Sequence, residues 1–491
     1  MRKIFAGALV AAAAILLAAC GGSSNNNNSI VAPPPPPPPP PPAGALLQVV
    51  HASADAPDVN VLVNGAIPEG LAGVPFAAAS PYLELPAGTI DAAVDALLAD
   101  GTALRVLEAD GLPLESNVAY NVIAAGSAAA LLSGTENPLQ LFVLTRPVLE
   151  AIEGVRIQVL HGSPSAPEVD VYVTGPDAEL AGVEPATFAF GGVLDLGTVP
   201  AAEYRIRVTP AGGETVVFDS GAVALPAGAD LTIIAVDNTG PGTAPIALLA
   251  VLADGTVLEL RDGGAEATAG LTAVHNSADA PAVCVVADDA TTAEVERVEL
   301  FAGVPFRSFG YLGAVPPGSY FVGLEVFDGE AGCSGTVAVG FDDPLAFAAG
   351  AEATGIVVGG LGDGTLELLA LADDLRPVAT EARVRIVHGS ALTPAVDIYV
   401  VAAGTGIAGP DTAPAFSGVE FRASTGFVAL PPGEYDVLVT LADDTTPAIS
   451  LLGVALEGGE VITAIASDPD AGETSPGLVV IDHVALKAPI Q

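Results

Sequence analysis

The sequence predicts an all-β protein of four tandem modules, each of about 110 residues and folded as two layers of short strands. Three observations predict this: a phrase that recurs four times, a period of two within it, and a composition rich in turn formers and poor in aromatics. The 491 residues include 56 Gly and 42 Pro but only 8 Tyr and no Trp. The phrase reads VVHASADAPDVNVLV from Val49, VLHGSPSAPEVDVYV from Val159, AVHNSADAPAVCVVA from Ala273 and IVHGSALTPAVDIYV from Ile386. Its histidines stand at 51, 161, 275 and 388, spacings of 110, 114 and 113. These spacings set the module bounds at 45–150, 155–262, 269–377 and 382–491.

Inside the phrase, Val59, Val61 and Val63 alternate with polar positions such as Asn60, and Val169, Val171 and Val173 alternate around Asp170. That is the pattern of half-buried strands. A second phrase follows each first: Gly73-Val-Pro-Phe76, Gly182-Val, Gly303-Val-Pro-Phe306 and Gly418-Val-Glu-Phe421. A third leads from a Pro/Gly turn into another strand: LPAGTI from Leu85, VPAAEY from Val199, VPPGSY from Val315 and LPPGEY from Leu430. Asp-Gly pairs at 100–101, 254–255 and 363–364 sit between apolar runs, where hairpins need positive backbone angles.

Seven or eight strands in such a length suit a two-sheet sandwich. Antibody-type domains would add a buried Trp and an inter-sheet Cys pair to each unit. These copies lack both, so the expected module is immunoglobulin-like in architecture alone. Together the H-x-S-x-x-x-P phrase, the G-V-x-F phrase and the Pro-Gly turn resemble the bacterial domain-of-unknown-function family 4397, over nearly all of residues 45–491. The resemblance implies tandem β-sandwich modules on exported bacterial proteins, and it supplies no catalytic residue or ligand. The second copy departs from the phrase at Glu184-Pro185, and the fourth has Thr393 where others have Ala.

The N-terminus reads as an address. Arg2 and Lys3 precede an apolar, Ala-rich run from Ile4 to Ala19, too short for a comfortable membrane span. Its end, Leu17-Ala18-Ala19-Cys20, resembles the bacterial lipobox, which makes 1–19 a lipoprotein signal peptide and Cys20 the lipid-attachment residue. A thioether lipid plus an acylated amine gives enough buried alkyl chain for stable anchoring. Gly21 rather than Asp after the Cys implies, by the same resemblance, the outer membrane. Residues 20–44 form the linker, with four Asn and then ten prolines from Pro33 to Pro42. Such a run adopts polyproline II, a stiff spacer of about 30 Å.

The formal charge of −43 comes from 58 acidic residues against 15 Lys and Arg. A surface of that sign repels phosphate backbones, so nucleic acid is not an expected partner. The partners expected are the membrane, through the lipid on Cys20, and an envelope polysaccharide or surface protein.

His51, His161, His275 and His388 invite a Ser-His-Asp reading, because Ser53 and Asp55 flank the first and Ser277 and Asp279 the third. The Asp is missing beside His161 and His388. Counting back two and four residues from each His gives apolar side chains, which places the rings on the core face. There each ring is expected to tie down the Pro-ended turn that follows it, as a structural histidine. Position three before each His is Gln48, Gln158, Thr272 or Arg385, expected to face out. With Cys20 assigned to lipid, Cys284 and Cys333 remain for a disulfide in an oxidising compartment, two free thiols being the alternative. The loop Asp468-Pro-Asp470-Ala-Gly-Glu473 has carboxylates but no spaced calcium-ligand series. His483 lacks Cys or His partners for zinc. No cofactor, metal or catalytic residue is expected. The expected function is that of a non-enzymatic cell-envelope lipoprotein with an adhesive or scaffolding role. A polysaccharide- or protein-binding array acting by avidity is the runner-up, and a hydrolase is the third reading.

Overall fold

A computed structural model describes residues 44–264, 267–292, 297–329, 332–340, 343–407 and 412–487. The signal peptide, Cys20 and the polyproline run lie outside the described residues. What is described is mostly β, with multiple sheets in tandem modules.

Each copy uses its recurring phrase to start two sheets. The first half of the phrase ends a strand at the histidine: Ala45–His51, Val155–His161, Ala269–His275 and Ala382–His388. The half after the proline opens a second strand in the facing sheet: Val59–Val63, Val169–Thr174, Val283–Asp289 and Val396–Ala402. Proline cannot donate to a ladder, so the turn it closes is where the chain changes sheets. The third phrase feeds the long neighbour of that second strand, Gly88–Leu97, Glu203–Pro210, Gly318–Asp328 or Gly433–Leu441. The Asp-Gly pairs lie in hairpins as expected, with Gly101, Gly255 and Gly364 all at positive φ.

The histidine strands pair in parallel with a strand from the far end of their own copy, which alternation alone does not reveal. Val49 stands opposite Val122, Val159 opposite Ile233, Ala273 opposite Gly355 and Ile386 opposite Ala464. The two sheets of a copy enclose an aliphatic core. In the second copy, Ile157, Val159 and Ile233 of one sheet meet Val169, Ile206 and Val208 of the other around Phe218.

The expectation that Gln48, Gln158, Thr272 and Arg385 face out is corrected. They are only 1 %, 6 %, 1 % and 2 % exposed, because the outer faces of the histidine sheets are covered by one another. Val50, Ile123 and Leu144 of the first copy pack on Leu160, Ile234 and Leu249 of the second. Val274, Ile356 and Val358 of the third pack on Val387, Ile465 and Ile481 of the fourth. Each contact thus buries the same sheet of both its copies.

Polar side chains on those faces must then be satisfied internally. Gln48 donates to the carbonyls of Ser80 (2.9 Å) and of Leu252 in the second copy (2.8 Å), and accepts from Asn121 at 2.7 Å. Arg146 of the first copy and Arg156 of the second both bind Asp230 at 2.5 Å. Between the third and fourth copies, Arg385 meets Asp373 at 2.6 Å with both side chains buried. Thr354 and Thr463 complete the cluster around Arg385, whose guanidinium lies 4.4 Å from the Phe427 ring centroid.

Candidate functional site

The recurring histidines are buried polar groups common to all four copies, so the site is built outward from them. Each ring is buried at the end of its strand. In three copies Nε2 meets the carbonyl of the proline six residues on: His161 with Pro167 at 3.1 Å, His275 with Pro281 at 2.9 Å, His388 with Pro394 at 3.1 Å. A carbonyl only accepts, so the proton sits on Nε2. In the third copy Nδ1 then accepts from the backbone N–H of Ser277 at 3.3 Å. The ring therefore spans its own turn. His51 differs, since its ring approaches the Pro75 carbonyl rather than the prolyl carbonyl of its own turn, without a hydrogen bond of good geometry.

The second phrase meets the first here. The Phe of G-V-x-F stands edge-on to the ring: Phe76 to His51 at 6.3 Å between centroids, Phe306 to His275 at 6.2 Å, Phe421 to His388 at 6.4 Å. In the second copy, where the phrase breaks at Glu184-Pro185, Phe188 and Phe190 take that place at 6.1 and 6.5 Å. The next residue adopts positive φ in every copy: Ala77, Gly191, Arg307 and Arg422. Its N–H donates to the carbonyl of the histidine at 2.9, 2.8, 2.8 and 2.7 Å respectively. Three of the four are not glycine, so the bond to the histidine carbonyl offsets a strained conformation.

The serine two residues after each histidine binds a carboxylate, but not one facing the ring. In the first and third copies it is the local Asp55 (3.2 Å) or Asp279 (3.1 Å). In the second and fourth, which lack that residue, Ser163 binds Asp237 and Ser390 binds Asp468 at 2.5 Å. Asp237 and Asp468 end or follow the far parallel strand, where strand register puts Gly126 and Gly359 in the other two copies. The acid has moved from one side of the clasp to the other. Asp55 also accepts from Ala128 N at 2.7 Å and Asp279 from Leu361 N at 2.8 Å, so each fastens the opposite loop. Asp237 was missed by sequence reasoning and Asp468 was read only as a carboxylate of the 468–473 loop, although an Asp at this spacing only in copies lacking the local one was a usable signal.

This swap predicts an exchange. Asp237→Gly should destabilise the second copy by about 1–3 kcal/mol, the range for losing charge-assisted hydrogen bonds. Adding Ser165→Asp, which rebuilds the arrangement of the first copy, should recover part of that in denaturant melts. No recovery would mean that the two arrangements are not equivalent.

A third recurring contact lies nine residues after each histidine. Asn60 accepts from Gly73 N at 2.9 Å, and Asp397 accepts from Gly418 N (2.7 Å) and from Asp443 N (3.2 Å). Asp170 accepts from Thr187 and from Gly212 N at 2.8 Å. The residue thus holds two loops in the second and fourth copies. The third copy has Cys284 there, and it is joined to Cys333 on the corresponding hairpin with Cα atoms 5.9 Å apart. A covalent bond replaces a carboxylate clamp.

Carboxylates of the 468–473 loop are taken up by protein groups, one of them on the third copy. Asp468 binds Ser390 and Leu392 N, and Glu473 pairs with Arg307 at 2.9 Å. His483 lies buried with Nε2 2.9 Å from Thr463 Oγ1. Arg376, unremarked in the sequence, lies over Phe76 and donates to the carbonyls of Ala54 (3.1 Å) and Ala56 (2.8 Å).

Burial, the largest cause, lowers the His51 imidazole from 6.5 to about 4. The unfolded chain takes up this proton near pH 6.5 and the folded chain only near 4. Stability is therefore full above 6.5 and falls as pH drops through that window, by roughly 3 kcal/mol in all. Urea midpoints of the wild type and His51→Gln should converge between pH 7.5 and 4.5; a constant gap would show that His51 does not titrate as buried.

Fold and clasp define a class of tandem β modules in which a histidine ties its own turn while its carbonyl receives a phenylalanine loop. The chain belongs to the family described as a domain of unknown function, DUF4397, whose model matches residues 45–172, 155–261 and 269–399. Beyond residue 399 the fourth copy continues with the strand order of the second and third copies, whereas the second sheet of the first copy has three strands. No curated protein matches the chain. Among solved structures, the Bacillus anthracis TIE protein is similar over 84% of this chain and 68% of that one, at 14% identity and a TM-score of 0.15, which supports no argument about fold or function.

Proposed function

We propose that the chain is a non-enzymatic lipoprotein of the bacterial cell envelope, anchored through Cys20 in the outer membrane, with its modules serving an adhesive or scaffolding role. The observation that carries this reading is the closure of the clasp. In three copies the serine hydroxyl is committed to a carboxylate and in the first to the Gly126 carbonyl at 2.6 Å, and in three the histidine Nε2 is committed to a prolyl carbonyl. Catalysis by an activated serine needs that hydroxyl and that ring facing each other. An acidic exterior, a stiff linker and repeated modules suit presentation of a surface.

The finer reading of the module as an immunoglobulin-like sandwich is supported by the tyrosine of the third phrase. Tyr204, Tyr320 and Tyr435 donate to the carbonyl four residues upstream, at Pro200 (2.9 Å), Pro316 (3.1 Å) and Pro431 (2.8 Å). Immunoglobulin domains brace a corner with a tyrosine in a similar way.

Cells expressing Cys20→Ser should release the protein from the membrane fraction and attach less to one another and to surfaces. Retention of that variant in the membrane fraction would remove the anchor. Unchanged attachment after deletion of the whole chain would remove the adhesive role.

A further inference from the structure

The third copy carries a group of side chains that the other three do not. Cys284 and Cys333 are joined, and Glu299 stands beside them on the neighbouring strand Val298–Val304. Strand register explains the meeting: Val286 pairs with Glu299, and Cys284, two residues earlier, shares its face. One ligand atom from each of Cys284, Glu299 and Cys333 lies within 4.8 Å of the other two. The nearest buried acid, Glu325, sits opposite Cys284 but is already committed to Arg297 (2.6 Å) and to Gly335 N (2.9 Å). Glu299 is the carboxylate left to face the sulfurs.

We propose that this cluster is a redox-gated site for a thiophilic divalent cation of the zinc type, with the disulfide as its closed state. A dithiol reductant opens it. Two electrons and two protons pass to the S–S bond, giving two thiols, while the dithiol leaves as its own disulfide. The cation then binds Cys284 and Cys333 as thiolates, displacing their two protons, with a Glu299 oxygen as third ligand and water as fourth. Zinc–sulfur bonds of about 2.3 Å at tetrahedral angles place two sulfurs roughly 3.8 Å apart. Rotation about the Cα–Cβ bonds reaches that separation from a Cα–Cα distance of 5.9 Å. Two sulfurs select zinc, cadmium or cobalt over calcium and magnesium, which prefer oxygen.

Cobalt reports such a site directly. The full chain carrying Cys20→Ser, reduced with a dithiol and freed of it without oxygen, should bind one equivalent of Co2+. A thiolate-to-cobalt charge-transfer band and the visible bands of a tetrahedral ion should accompany binding. The oxidised protein should show neither. Cys284→Ser should abolish the charge-transfer band, and Glu299→Gln should keep it while weakening affinity by at least about tenfold, no less than loss of an outer-shell partner brings. Zinc should raise the melting temperature of the reduced protein and leave that of the oxidised protein unchanged, a readout independent of whether the variants fold. A reduced wild type without the band, a band that survives Cys284→Ser, or an affinity indifferent to Glu299→Gln would each overturn the site.

Discussion

Replacing Asp373 by Ala should destabilise the protein by about 3–5 kcal/mol, because it leaves the Arg385 guanidinium buried without its counter-charge. The two side chains are 1 % and 2 % exposed and meet at 2.6 Å across the contact between the third and fourth copies. Burial pushes the Asp373 carboxyl above its ordinary range, and Arg385 pulls it back down. Those opposing effects mean that the intact pair adds little net stability, whereas half of it is costly. The double variant Asp373→Leu, Arg385→Met should accordingly recover most of the loss in chemical denaturation. If Asp373→Ala melted like the wild type, water must reach the contact and the sheets are not closed on each other.

Loss of the Cys284–Cys333 bond should cost about 4 kcal/mol in the chain-entropy account, given the sequence separation of 49 between its ends. Paired substitution to Ser should show this in denaturant melts without any added metal. Because Asp170 and Asp397 hold the same two loops by hydrogen bonds, Cys284→Asp with Cys333→Gly should lose less than the paired Ser variant. Equal losses would show that the carboxylate clamp does not transfer into the third copy.

Strand-level organisation was readable because each phrase alternates. Leu47 and Val49 put His51 on the core face, and the structure places it there. The same alternation also sent Gln48, Gln158, Thr272 and Arg385 outward, and that was right about direction but wrong about solvent. Polarity at one position concealed the aliphatic residue just before each histidine: Val50, Leu160, Val274 and Val387, all at most 2 % exposed. Four aliphatics on a supposedly wet face were the available sign. The parallel partner strand was illegible for a different reason, since its pairing depends on residues some 70 positions away and leaves no local period. The His–Phe contact was foreshadowed by the co-occurrence of the two phrases, whereas the acid exchanged between Asp55 and Asp237 left only a faint sign in the sequence and was placed by register.

The mutual covering of the histidine sheets fixes how this architecture can change in number. A single copy added or deleted would uncover an aliphatic layer bearing half-satisfied groups such as Gln48 or Arg385, whereas removing a complete couple leaves both such layers covered. Growth and shrinkage of the array should therefore proceed by twos, and a recombinant fragment ending after an odd copy should self-associate through the layer it exposes.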